Sequence, residues 1–129
     1  MADKEVIRTD RAPGPFQGAP YNQAIRIGDL VFVAGQLGIN LETGQLAGPS
    51  VQDQTEEIMA NLSAILEAAG SGLDKLVKTT VFLMNLGDFG GMNEVYARHV
   101  GDRPPARSTV EISGLPSGAL VEIEAVAHI

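Results

Sequence analysis

Runs of β-branched and apolar residues alternate along this chain with segments of helical periodicity. Four short runs predict strands in the first two thirds of the chain, at 4–9, 24–27, 30–34 and 76–84. Only Gly28 and Asp29 separate the second run from the third. Such a spacer predicts a tight two-residue hairpin.

Two segments repeat their apolar residues with the period of a helix. The first begins after Ser50, a favourable N-terminal cap, and ends before Gly70. The second is predicted to begin with Asp88 as its cap. Its apolar stripe consists of Phe89, Met92, Tyr96 and Val100. Because both stripes are one-sided, we expect both helices to cover the same face of a sheet.

The last quarter of the chain carries two further β-type runs, at 106–112 and 119–127, around a Gly-, Pro- and Ser-rich segment at 113–118. This pattern predicts two antiparallel strands joined by a turn. Every odd-numbered residue from 121 to 127 is apolar, which predicts the core face of the second strand. Glu122 and Glu124 then lie on the opposite face.

Arg107 is the central polar residue of the first of these two strands. It shares a face with Thr109, and antiparallel pairing in either plausible register places both on the same face as Glu122 or Glu124. One interpretation is a cross-strand ion pair worth roughly 0.2–1 kcal/mol. The other is a binding site, because the prolines at 104–105 hold the arginine on a rigid element.

The element order predicts a single α+β domain over residues 1–129, a two-layer structure of a mixed sheet with two helices on one face. The net charge of −7 argues against nucleic acid as a partner. No apolar run approaches the roughly 20 residues that a membrane-spanning helix needs. The chain lacks cysteine and shows no signal peptide at its start, so we expect a cytoplasmic protein.

The C-terminal segment resembles the signature of the reactive intermediate deaminase A family (RidA, also YjgF/YER057c/UK114). The matching residues are Arg107-Ser108-Thr109-Val110, Leu115-Pro116 and Val121-Glu122-Ile123-Glu124-Ala125-Val126-Ala127. Three further motifs resemble segments of that family: Ala19-Pro20-Tyr21-Asn22-Gln23-Ala24, Gly35-Gln36-Leu37-Gly38 and Asn93-Glu94-Val95-Tyr96. Ala19, Asn22 and Ala34 differ from the usual Gly, Ser and Ser.

The resemblance implies a chorismate-mutase-like fold that closes its free sheet face as a homotrimer, with three clefts between subunits. It also implies hydrolysis of 2-imino acids, in equilibrium with enamines, to 2-oxo acids and ammonia. Arg107 would hold the substrate carboxylate and Glu122 would direct water, and the cleft would be lined by Tyr21, Gly35, Asn93 and Thr109. Without the resemblance, the sequence predicts only a packed aromatic residue at Tyr21, a turn residue at Gly35 and a structural role for Asn93.

The sequence contains no dinucleotide-binding, P-loop or nucleophile-elbow motif, and its two histidines form no metal-binding pattern. We therefore predict neither a metal nor a cofactor. Two other functions stay open: a module that binds 2-oxo acids without turnover, and RNA cleavage or chaperone-like activity. An acidic chain without a basic or aromatic stripe disfavours RNA.

Overall fold

The computed structural model describes residues 3–129 and contains six strands and two helices. The strands are β1 (Glu5–Ile7), β2 (Ala24–Ile27), β3 (Leu30–Leu37), β4 (Leu76–Leu83), β5 (Ala106–Glu111) and β6 (Val121–His128). The helices are α1 (Val51–Ala68) and α2 (Phe89–Val100). The predicted two-layer α+β fold is confirmed, with strand β3 three residues longer than the sequence indicated.

All six strands form one sheet in the order β1-β2-β3-β6-β4-β5. Neighbouring strands are antiparallel except β4 and β5, which are parallel and are connected through α2. The hairpin at Gly28-Asp29 is confirmed, because Ile27 pairs directly with Leu30. Gly28 has a φ of 56°, in the left-handed region that this turn requires.

The predicted hairpin between the last two strands is wrong. Strand β4 lies between β5 and β6 and pairs with both. The segment that precedes β6 contains a 3-10 turn at Pro116–Gly118 and connects β5 to β6 across the intervening β4. Its Gly and Pro residues indicate correctly that the chain turns back, but they do not determine which strand becomes the neighbour.

The core lies between the helices and one face of the sheet. In β6 the alternation is as predicted, with Val121, Ile123 and Ala127 fully buried beneath the helices. Ser50 caps α1 by accepting a 3.0 Å hydrogen bond from the backbone N–H of Asp53. Asp88 is the N-cap residue of α2, as predicted, but its side chain makes no capping hydrogen bond.

The other sheet face, here called the open face, carries no helix. It combines the half-buried or exposed glutamates of β6 with apolar side chains such as Phe32 and Val110, which are 44% and 42% exposed. Within residues 3–129, no helix is long and apolar enough to cross a membrane.

Candidate functional site

A cleft of about 620 Å³ opens at the end of the open face, where β3 ends and β6 begins. Among its walls are three residues that the sequence singled out, Tyr21, Gly35 and Glu122. Apolar residues of the surrounding loops complete it, including Pro13, Pro15, Phe16, Leu37, Ile39 and Pro116. The cleft therefore combines one carboxyl group with largely apolar walls.

Gly35 lies directly against the Glu122 carboxyl group. A Cβ atom at position 35 would be 2.8 Å from both Cδ and Oε1 of Glu122. The pairing of β3 with β6 is irregular between Val33 and Gln36, which places Gly35 within a β-bulge. Bulges bend a strand and re-aim its side chains. Glycine at this position therefore makes room for the carboxyl group. This explains the glycine more specifically than a role as a turn residue would.

Glu122 is half-buried, and its burial raises the pKa of the carboxyl group above the usual value. The nearby carboxylate of Glu124 raises this pKa further. Both effects disfavour the ionised form. Ionising Glu122 thus costs more in the folded chain than in the unfolded chain, so its contribution to stability is present at low pH and is lost as the pH rises through the folded pKa.

Tyr21 fixes the loop that forms one wall of the cleft. Its hydroxyl oxygen accepts a 2.7 Å hydrogen bond from the backbone N–H of Phe16, and its side chain is 41% exposed. The hydroxyl proton stays available as a donor towards the cleft. Tyr21 is therefore more than a packed aromatic residue.

Gln23 is a second support of this wall, and the sequence analysis missed it. This buried side chain donates to the carbonyl groups of Thr9, Ala12 and Pro13 at 2.9–3.1 Å and accepts from the Thr9 N–H at 2.8 Å. The sequence feature that could have indicated it is its position in the segment 19–24, which resembles a family motif and contains Tyr21.

Arg107 lies elsewhere, on the face of the sheet that α2 covers. Its guanidinium carbon is 4.8 Å from the ring centre of Tyr96 and 5.5 Å from that of Phe89. Its Nη1 lies 3.9 Å from the sulfur of Met92. We call these three α2 side chains the arginine cradle. Within residues 3–129, no carboxylate oxygen lies within 4.0 Å of this guanidinium.

Asn93 and Thr109 belong to the same two elements as the arginine cradle and Arg107. Thr109 is half-buried and lies on the same face of β5 as Arg107. The Asn93 side-chain oxygen is buried and, among the residues that the structure describes, has no hydrogen-bond partner. Buried oxygens without a donor are uncommon, which speaks against a purely structural role for Asn93.

The prediction that Arg107 and the glutamates share a face is wrong, and so is the cross-strand ion pair. Arg107 pairs with Thr79 of β4, whereas Glu122 pairs with Phe82 of the same strand and faces the other way. Two strand spacings and three residues along the strand separate their Cα atoms by about 14 Å. One chain thus carries two separate clusters of candidate site residues, one around Glu122 and one around Arg107.

The comparisons with known proteins agree with the motifs. The family model described as endoribonuclease L-PSP matches residues 11–129. A RutC family protein of Pyrococcus abyssi is 48% identical over 125 residues, covering 97% of each chain. The 2-iminobutanoate/2-iminopropanoate deaminase of Dermatophagoides farinae is 36% identical over 129 residues, covering 100% of this chain and 99% of that protein.

A solved structure shows the same fold. The crystal structure of E. coli TdcF with bound serine matches with a TM-score of 0.89 and 38% identity, covering 97% of this chain and 98% of that one. The chain belongs to the endoribonuclease L-PSP family, which is the RidA/YjgF/UK114 family that its sequence motifs indicate.

Proposed function

We propose that this protein hydrolyses 2-imino acids, such as 2-iminobutanoate and 2-iminopropanoate, to 2-oxo acids and ammonia. The observation that carries the proposal is the Arg107 guanidinium, which is held by uncharged side chains and has no carboxylate partner among residues 3–129. An arginine fork left free in this way matches the two oxygens of a substrate carboxylate.

Two comparisons support this class of ligand. The relative from Dermatophagoides farinae is named for its action on 2-imino acids. The E. coli TdcF structure contains serine, whose carboxylate and nitrogen on Cα correspond to those of a 2-imino acid.

We further propose that the working form is a homotrimer in which Arg107 of one subunit meets Glu122 of the next. Within one chain these residues lie on opposite faces of the sheet. The open face also exposes Phe32 and Val110, apolar side chains that association would remove from water. A composite site at each of three interfaces satisfies both observations.

The reaction itself needs little more than these groups. Water adds to C2 of the imine while Glu122 accepts its proton, and the carbinolamine that forms expels ammonia after its nitrogen is protonated. One imine and one water thus give one 2-oxo acid and one ammonia. Arg107 holds the carboxylate so that C2 faces the water, and the Tyr21 hydroxyl is available as a donor within the cleft. The participation of Asn93 and of the Thr109 backbone N–H in ligand binding is part of the same proposal.

Glu122 is suited to this role by its environment. A raised pKa makes its carboxylate a stronger base than an exposed one, and base catalysis gains as the pKa approaches the working pH. The close contact with Gly35 fixes the position of the carboxyl group.

A second candidate is a module that binds a 2-oxo acid and releases nothing. The same free arginine supports it, so turnover decides between the two. RNA cleavage, which the family description suggests, is disfavoured by sixteen acidic against nine basic residues. A cytoplasmic location and the lack of a metal or cofactor stay predictions.

The first test is Arg107→Lys, with 2-oxo acid release measured from an imino acid generated in the assay. Lysine keeps the charge but lacks the planar pair of donors, so we expect turnover to fall by on the order of 10²-fold or more. Thermal unfolding should show little change. If the wild-type protein binds 2-oxobutanoate but releases no 2-oxo acid from the imino acid, the binding module without turnover is favoured. Full activity in Arg107→Lys would exclude Arg107 as the residue that holds the substrate carboxylate.

The second test addresses the composite site. Arg107→Lys and Glu122→Gln subunits, each inactive alone, are unfolded together at equal amounts and refolded. If each site takes Arg107 from one subunit and Glu122 from its neighbour in a trimer, about a quarter of the sites are intact and activity returns to about that level. Sites built within single chains would stay inactive. Light scattering on the wild type should give the mass of three chains, and a monomer would contradict the assembly.

The third test is Gly35→Ala. The added methyl group must push the Glu122 carboxyl group aside, and we expect kcat to fall by on the order of tenfold to 10²-fold. Stability should change little, because the displaced atoms are the end of a flexible side chain. Gly114→Ala, where a Cβ would meet nothing within 4 Å, is the matched control. Equal activity in the two variants would remove the proposed role of this contact.

The fourth test is Glu124→Gln. It removes a negative charge that raises the pKa of Glu122, so this pKa should fall and the acidic limb of the activity profile should move to lower pH. Carbon-detected NMR titration of the Glu122 carboxyl group measures the shift directly. Glu94→Gln, an exposed glutamate on α2, makes the same change in net charge. Equal shifts in both variants would assign the effect to overall charge.

A further inference from the structure

Tyr96 joins the helix layer to the strand beside Arg107. Its side chain is only 4% exposed, and its hydroxyl lies 2.6 Å from the hydroxyl of Thr79. Thr79 is 1% exposed, and in the parallel pairing of β4 with β5 it is the residue directly beside Arg107. The ring of Tyr96 in turn lies 4.8 Å from the guanidinium carbon of Arg107. Arg107, Thr79 and Tyr96 thus each contact the other two.

We propose that Tyr96 is a positioning residue for Arg107: the Thr79 hydrogen bond fixes its ring, and the ring fixes the plane of the guanidinium. This inference rests on the proposed function, in which that guanidinium holds the substrate carboxylate. A guanidinium that stacks on a ring uses its face and keeps its N–H donors in the plane free. Apart from the weak contact of Nη1 with the Met92 sulfur, the ring contact therefore orients the fork without occupying its donors.

The rest of the arginine cradle acts in the same sense. Phe89 offers a second ring at 5.5 Å, and the Met92 sulfur is a weak acceptor at 3.9 Å. Neither neutralises the positive charge. An aspartate or glutamate at this place would orient the arginine equally well, but it would compete with the substrate for the same donors. The uncharged cradle avoids this competition.

The need for such a device follows from the side chain itself. Arginine loses much of its rotamer entropy when it is fixed in one conformation. If the cradle fixes it before substrate arrives, less ordering is left to binding, and a misplacement of about 1 Å, which can cost on the order of 10²-fold in rate, is avoided.

The test compares Tyr96→Leu, which removes the ring, with Tyr96→Phe, which keeps it. We expect kcat/KM for imino-acid hydrolysis to fall by on the order of 10²-fold in Tyr96→Leu, and Phe to restore most of it. Tyr96→Phe leaves the Thr79 hydroxyl without its partner and should lower the melting temperature. Leu62→Ala, a buried truncation in α1, controls for lost stability at a distance from the arginine. Equal losses in Tyr96→Leu and Leu62→Ala would overturn the proposal.

A double-mutant cycle separates positioning from general damage. If Tyr96 acts through the arginine, Tyr96→Leu should add little to the loss already caused by Arg107→Lys. If the fold losses in kcat/KM of the two single variants multiply in the double variant, Tyr96 does not act through Arg107 and the proposal is contradicted. Phe89→Leu, at a partly exposed position, is a second cradle variant should Tyr96→Leu not fold. We expect it to lower kcat/KM less than Tyr96→Leu does, and unchanged kcat/KM would count against the cradle.

An NMR measurement tests the cradle even if imino acids prove not to be the substrate. The guanidinium carbon of Arg107 lies over the Tyr96 ring, 4.8 Å from its centre, so we expect the neighbouring Nε–H proton to resonate upfield of that of an exposed arginine. The shift should persist in Tyr96→Phe and become smaller in Tyr96→Leu, where only the Phe89 ring at 5.5 Å remains. An undiminished shift in Tyr96→Leu would overturn the proposal, whereas a wild-type protein with the shift and without turnover would overturn the proposed reaction alone.

Discussion

The placement of β4 between β5 and β6 is the constraint on which the proposed chemistry depends. It separates Arg107 from Glu122 by two strand spacings and assigns them to opposite faces of the sheet. The cation is thereby prevented from pairing with the glutamates of β6 in its own chain. Had β5 and β6 formed a hairpin, the two groups would have neutralised each other and left no charge for a ligand.

Each of the two clusters of candidate site residues contains polar groups that lack a full set of charge or hydrogen-bond partners among the described residues. Glu122 has a raised pKa. Among the described residues, Arg107 has no carboxylate oxygen within 4.0 Å and the Asn93 oxygen has no donor. Such groups reduce the stability of the isolated fold. A neighbouring subunit and a carboxylate ligand would satisfy them together, which connects assembly and ligand binding to one physical cause.

The sequence predicted local features well and the strand neighbours poorly. The Gly28-Asp29 turn, the buried face of β6 and the Ser50 cap depend on residues close in sequence, and all are confirmed. The partner of β5 depends on residues that are distant in sequence. In β5 neither face is purely apolar, so its pattern could not decide which side Arg107 occupies.

The candidate residues were identified from their sequence motifs, and this identification does not depend on which strands are neighbours in the sheet. Tyr21, Gly35 and Glu122 do meet in one cleft, although they come from a loop and two strands. Gln23 and Tyr96 also lie within the motifs, yet their roles depend on contacts with distant segments, which only the fold reveals. Their hydrogen bonds and ring contacts explain why a motif extends beyond the groups that touch a ligand: the additional residues hold those groups in place.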